Sequence, residues 1–248
     1  MKSFKLLNIY IDNLSEQELL DSFINQVLLT VNIDVMMHLQ KNPAFYNTVI
    51  ENRKDIIIVN DSQVIRILVK LLWKYNIHKI SGSDFFPAFC QYHAENEKIR
   101  IFLLGAGPGV AEKAAFIINK RIGRMIIVGT YSPPFGFERD PKEGDLIIEM
   151  INKSDATVVT VGLGAPKQEL WIFSNKSRLP NVKIMMAVGA TIDFEAGQKK
   201  RAPKWVSSLG LEWLHRLTTE PGRLAKRYLV DDLPFLWLIL KQRIGMYK

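Results

Sequence analysis

Apolar and polar positions alternate in blocks along the chain as far as Gly189. Short apolar runs rich in β-branched residues fall at 4–11, 27–31, 55–59, 100–104, 125–129, 156–161 and 183–188, and each reads as a strand. Between them, apolar residues recur at helical spacing over 15–25, 35–52, 64–75, 108–121, 141–152 and 166–175. Ser15 and Glu18 have the spacing of a capping box, which supports the first helix start. Strands alternating with helices through short connections predict an α/β fold, a mainly parallel, Rossmann-like sheet with helices on both faces. In such sheets ligands sit beyond the carboxyl ends of the strands, where the connecting turns gather.

Beyond Gly189 the alternation stops. Short helices are predicted over 203–208, 211–218, 222–229 and 233–244, each punctuated by glycine or proline. The expected organisation is therefore an α/β core, 1–197, followed by a helical appendage, 198–248. Charge marks the same division. From Gln198 onward there are eleven basic and four acidic residues, so +7 of the net +8 lies in the appendage and the body is nearly neutral. Three of the five tryptophans, Trp205, Trp213 and Trp237, lie there too. The appendage is too short to carry its own core, so it must pack on the body, a membrane or another subunit. Tryptophan, leucine and arginine in short amphipathic helices suit an anionic membrane interface. A nucleic-acid surface would show the same charge, but phosphate binding alone does not need the polar residues clustered at the strand ends. A solvated basic face over an apolar docking surface has the same composition.

Composition narrows the class further. With 48% hydrophobic and 23% charged residues, the chain is an ordinary globular protein rather than a disordered one. Cys90 is the sole cysteine, so no intrachain disulfide forms, a reducing compartment is expected, and a buried structural thiol is its expected role. The N-terminal apolar run is too short for a signal peptide and reads as a first strand. No segment approaches the roughly 20 apolar residues of a membrane span; the candidate at 233–240 is short and contains Pro234.

Four strand ends carry the candidate chemistry. The segment Val161-Gly162-Leu163-Gly164-Ala165-Pro166-Lys167-Gln168-Glu169 runs from a buried strand through glycines into a helix start. Free backbone N–H groups and the positive end of a helix dipole collect anions at such a place, although an ordinary strand–helix turn has the same local pattern. Asp61 follows the apolar run 56–59 and would stand at the cleft floor, where a carboxylate can accept a proton from a nucleophilic hydroxyl; capping of the next helix is an equal reading. Thr30-Val31-Asn32 ends another strand. The loop at 105–109 has glycines at its first, third and fifth positions, not the first, third and sixth of a dinucleotide fingerprint, and no acidic residue closes a second strand about 20 residues on. Phosphate or sugar contact by Gly105 and Gly107 stays open, as does the competing reading of a non-catalytic or redox nucleotide binder. The four histidines lack ligand partners at helical spacing, so no metal site is expected. No Gly-x-Ser-x-Gly elbow is present.

Taken in order, these motifs resemble the WecG/TagA/CpsF glycosyltransferase family, glycosyltransferase family 26, over nearly the whole chain. The resemblance rests on Thr30-Val31-Asn32, Val59-Asn60-Asp61, Ser81-Gly82-Ser83-Asp84, 103–112, 161–169 with Trp171, and the tail from Lys200-Arg201-Ala202-Pro203-Lys204-Trp205 through Gly210-Leu211-Glu212-Trp213-Leu214 to Arg216. It implies a metal-independent, cofactor-free, inverting transfer from a UDP-sugar to a polyprenyl-diphosphate-linked sugar, at the cytoplasmic face of the cell membrane. The products of such enzymes are teichoic acid linkage units, enterobacterial common antigen and capsular or exopolysaccharides. By resemblance Asp61 is the base. Thr30, Asn32, Ser83, Asp84, Gly105, Gly107, Gly162, Gly164, Lys167, Gln168, Glu169 and Arg201 join the substrate-binding set, and Arg216, Arg223, Lys226 and Arg227 meet the lipid diphosphate. No nucleic-acid partner is implied; a homo-oligomer is one place for the appendage to dock. The chain departs from the family at Asn60-Asp61-Ser62, where Ala-Asp-Gly is common, and at 131–137, where it reads Tyr-Ser-Pro-Pro-Phe-Gly-Phe. The donor stays open among N-acetylmannosamine, its uronic acid and other hexoses.

Overall fold

Two strands open the chain, β1 (Ser3–Leu6) and β2 (Ile9–Asp12), paired antiparallel. One continuous strand was the expectation for this stretch; instead the chain reverses at Leu7, whose φ of 54° is left-handed. The reversal buries Ile9 and Ile11 and leaves Tyr10 exposed, the alternation of a half-buried strand. The computed structural model describes residues 2–199, 201–203, 206 and 209–247, without the side chains of Thr219 and Arg223.

The remaining strands are β3 (Val27–Val31), β4 (Ile56–Asn60), β5 (Ile101–Gly105), β6 (Ile127–Tyr131), β7 (Val158–Gly162) and β8 (Ile184–Ala187). They form one six-stranded sheet in the order β4-β3-β8-β7-β5-β6. The resolved pairings, such as Leu103 with Thr160 and Thr160 with Met186, are parallel. Helices, in chain order beginning with α1 (Glu16–Ser22), flank the sheet, so the fold is the α/β architecture the alternation predicts. All residues of β3, β4, β5 and β8 are buried, as strands covered on both faces require.

Two boundaries differ from the sequence pattern for local reasons. The helix expected over 35–52 is two helices, α2 (Ile33–Lys41) and α3 (Pro43–Glu51), because Pro43 cannot continue the first. Asn42 serves both: its N–H donates to His38 O, and its side chain accepts from Phe45 N. The sixth strand starts at Ile127 rather than 125, pinned there by Asn119, which accepts from Ile127 N and donates to Ile127 O.

By contact the chain divides into two compact units. The first comprises Met1–Gln17, Thr30–Ser81 and Arg201–Lys248. Within it lie α4 (Gln63–Trp73), α10 (Glu212–Thr219), α11 (Pro221–Lys226), a π-helical turn (Arg227–Asp231) and α12 (Pro234–Arg243). The tail is fastened to the N-terminal part of this unit. Gln242 Oε1 accepts from Leu7 N at 2.8 Å while its Nε2 donates to Lys5 O, and Lys41 Nζ donates to Asp231 O. Phe235 and Ile239, one turn apart on α12, are wholly buried. The helix expected over 203–208 falls largely outside the described residues.

The second unit comprises Glu18–Leu29 and Gly82–Lys200, with α5 (Gly82–Tyr92), α6 (Val110–Ile122), α7 (Pro141–Lys153), α8 (Lys167–Asn175) and α9 (Thr191–Glu195). Its core holds the ring cluster of Phe23, Phe85 and Phe89. Beside it Cys90 is fully buried, which pushes its thiol up to about 12; it is an inert packing residue.

Candidate active site

Asp61 follows β4 directly, and its neighbours take up the local backbone work. Its own N–H donates to Val31 O at 2.8 Å. Asn60 accepts from Ser62 N and donates to His78 O, and Asn60 O accepts from Ile80 N. The next helix, α4, is capped by Ser62, whose hydroxyl accepts from Ile65 N at 3.3 Å. Ser62, not Asp61, therefore does the capping.

The Asp61 carboxylate lines a cavity of about 350 Å³ within the first unit. Asn32 and Asp34 from the start of α2, Glu212, Trp213 and Arg216 from α10, and Arg227 and Asp232 from the π turn line it too. Loss of hydration raises the carboxyl of Asp61 to about 6, against the attraction of Lys79, a hydrogen bond from Ser81 and the pull of Arg216; Glu212 adds to the rise. Arg216 holds Glu212 at 2.6 Å across one helical turn. A carboxyl near 6 is charged at neutral pH and more basic than a solvated aspartate, which suits proton abstraction.

Of the residues singled out in the sequence, Asn32, Asp61, Arg216 and Arg227 share this cavity. Asn32 caps α2 by accepting from Val35 N at 3.1 Å, and Thr30 is buried in β3. Arg201 and Lys226 are exposed, and the side chain of Arg223 lies outside the described residues. Lys79, Ser81, Asp34 and Asp232 escaped sequence reasoning. Ser81 opens the Ser-Gly-Ser-Asp motif, and that was its one local signal.

The glycine turns belong to the second unit. Gly105 has φ +117°, and a Cβ there would lie 2.4 Å from Gly162 O; one on Gly162 would lie 2.8 Å from Gly189 O. These two glycines are needed for close backbone approach between strand ends. Gly164, at φ +80° with open space around it, serves the turn itself. Gly107 leaves room for a side chain, and Ser132 Oγ donates to Gly105 O and Gly107 O, strapping that loop. Gln168 and Glu169 are buried: Gln168 accepts from Gly189 N and donates to Glu169. Lys167 stays exposed, paired with Glu138 at 2.5 Å and lying 5.1 Å from the ring centre of Phe135. Ser83 and exposed Asp84 stand in the first turn of α5. Among the described residues no three His, Cys, Asp or Glu side chains gather as metal ligands.

A base-like carboxyl in a cavity that two arginines also line is an arrangement in which group transfer to a hydroxyl is chemically reasonable. The chain matches the Glycosyl transferase WecG/TagA/CpsF family over residues 4–248, nearly its whole length, and it belongs to that family of glycosyltransferases.

Proposed function

We propose that this chain transfers a sugar, with inversion and without a metal, from a UDP-sugar to a polyprenyl-diphosphate-linked acceptor in the synthesis of a cell-surface polymer. Asp61 in its cavity is the observation that carries the reading. The acceptor hydroxyl attacks the anomeric carbon of the donor, the bond from that carbon to the diphosphate oxygen breaks, and the hydroxyl proton passes to Asp61. UDP leaves with the bonding electron pair. Such a base contributes about 10²–10⁴-fold, and donors and cations that meet the departing charge contribute further. Gly105, Gly107, Gly162, Gly164 and Lys167 are assigned to the nucleotide, with Gln168 and Glu169 shaping the turn behind them. Thr30, Ser83, Asp84 and Arg201 complete the substrate-binding set by resemblance to the family alone.

For the acceptor, Arg216 and Arg227 are the diphosphate ligands, with Arg223 and Lys226 beside them. The tail suits a lipid-linked partner. On α12 one stripe, Phe235 and Ile239, is buried, while Leu236, Trp237 and Leu240, with Leu233 and Ile244 at the two ends of the helix, remain exposed. A helix apolar on all sides needs a second apolar partner besides the protein, and the inner face of the cell membrane supplies one together with anionic headgroups for Lys241 and Arg243. No described helix is long and apolar enough to cross a membrane. The pH dependence of transfer tests the base. Activity should rise through about pH 6 as Asp61 loses its proton and stay level above; a profile flat from about pH 5 to 8 would remove Asp61 from that role.

A further inference from the structure

Arg227 is held in an unusual way. Its Nε lies 3.2 Å from Asp34 Oδ1 and 3.7 Å from Asp232 Oδ2, and the side chain is one-quarter exposed. Its guanidinium carbon stands 5.4 Å from the ring centre of Tyr228. Both carboxylates stand within ion-pair distance of the inner nitrogen, which makes no hydrogen bond to either, and no hydrogen bond from the terminal nitrogens is made among the described residues; Arg227 itself lines the cavity. Backbone geometry brings the second carboxylate into place. Asp232 N donates to Arg227 O at 2.8 Å, a five-residue step that closes the π turn. In an uninterrupted α-helix the four-residue step would set Asp231 over Arg227 instead. The π register selects Asp232, which is 9% exposed, and Lys41 holds the carbonyl of Asp231 from the α2 side.

We infer that Asp34 and Asp232 form a two-carboxylate clamp that fixes the guanidinium of Arg227 at the cavity wall, making both of them positioning residues for the acceptor. A freely rotating arginine must lose side-chain entropy when it grips a phosphate; one held by two carboxylates has lost part of it already, and its planar fork is suited to two-point contact. Asp34 reaches the clamp from α2 and Asp232 from the tail, so the same three side chains also seat the tail on α2. His38, whose Nε2 is 3.7 Å from Asp34 Oδ1, Asp231 and Lys41 also stand at this seat. The clamp follows from the geometry alone; its service to a diphosphate rests on the function proposed above.

Two readouts on the full-length protein separate these layers. In Asp34→Asn, amide hydrogen exchange over residues 227–232 should quicken relative to the parent, and unchanged exchange overturns the clamp. In turnover with a polyprenyl-diphosphate-sugar acceptor, Asp34→Asn should raise the acceptor KM by about tenfold with the donor KM unchanged. In an Arg227→Ala background the same substitution should add nothing, because Asp34 acts through Arg227. Equal effects of Asp34→Asn in both backgrounds overturn the positioning role. Faster exchange with an unaltered acceptor KM upholds the clamp and overturns its service to the acceptor, and faster exchange without turnover in the parent refutes the proposed reaction alone.

Discussion

Replacing Asp61 by asparagine should stabilise this protein while stopping its chemistry. The carboxyl rises from an ordinary 3.8 to about 6 on folding, so the folded chain holds its proton more tightly than the unfolded chain does. Stability from this group is therefore full below about pH 3.8, falls as the pH climbs to about 6, and is lost above. The charged form costs about 3 kcal/mol at neutral pH. Asparagine resembles the protonated acid in shape and neutrality and leaves Lys79, Ser81 and Arg216 as they stand beside that acid, so it should recover about that amount. For a chain of this length each kcal/mol moves the melting temperature by about 2–4 °C. Thermal melts of parent and variant, run at about pH 7 and again near pH 4, are the assay. The variant should melt about 6–12 °C higher at pH 7, the gap should close toward pH 4, and transfer should be absent at both. A variant that melts no higher at pH 7, or whose advantage does not change with pH, would refute the burial argument for Asp61.

Other outcomes follow from particular contacts. The Thr160 hydroxyl in β7 is wholly buried and has no hydrogen-bond partner among the described residues, so Thr160→Val should stabilise by about 1 kcal/mol in chemical denaturation. Gly105→Ala must push a methyl group against Gly162 O in a left-handed backbone; it should lower the melting temperature and weaken UDP binding, read by calorimetry, together. Trp237→Glu places a charge on the exposed side of α12 and should reduce flotation with anionic vesicles while leaving turnover of a water-soluble acceptor analogue intact. Removing the tail altogether is a poorer test, since it would also remove Phe235 and Ile239 from the core they fill.

Much of this was legible in the chain because it is local. Strands such as 27–31 are short β-branched runs, and Asp61 is conspicuous as the first acid after one of them. What escaped depends on separation or on register. Asp34 and Arg227 lie nearly two hundred residues apart in the chain, and nothing in either neighbourhood announces the other. Choosing Asp232 over Asp231 needs the π turn, which no apolar periodicity encodes. Lys79 and Ser81 reach Asp61 from an extended segment whose middle residue, Ile80, is buried, so the pair reads as unremarkable loop chemistry. The hairpin at Leu7 was missed because a leucine with positive φ is a turn that propensity disfavours. Glycines at 105 and 162 carried an ambiguous signal: the sequence pattern suited phosphate, and the structure adds a packing reason for both.

The reaction itself is the central claim, and UDP release tests it most directly. A panel of UDP-sugars would be offered to the purified protein, with and without a polyprenyl-diphosphate-GlcNAc analogue in vesicles. The account predicts acceptor-dependent release of UDP from one donor, lost in Asp61→Asn. Release that ignores the acceptor, or that survives in Asp61→Asn, would contradict it.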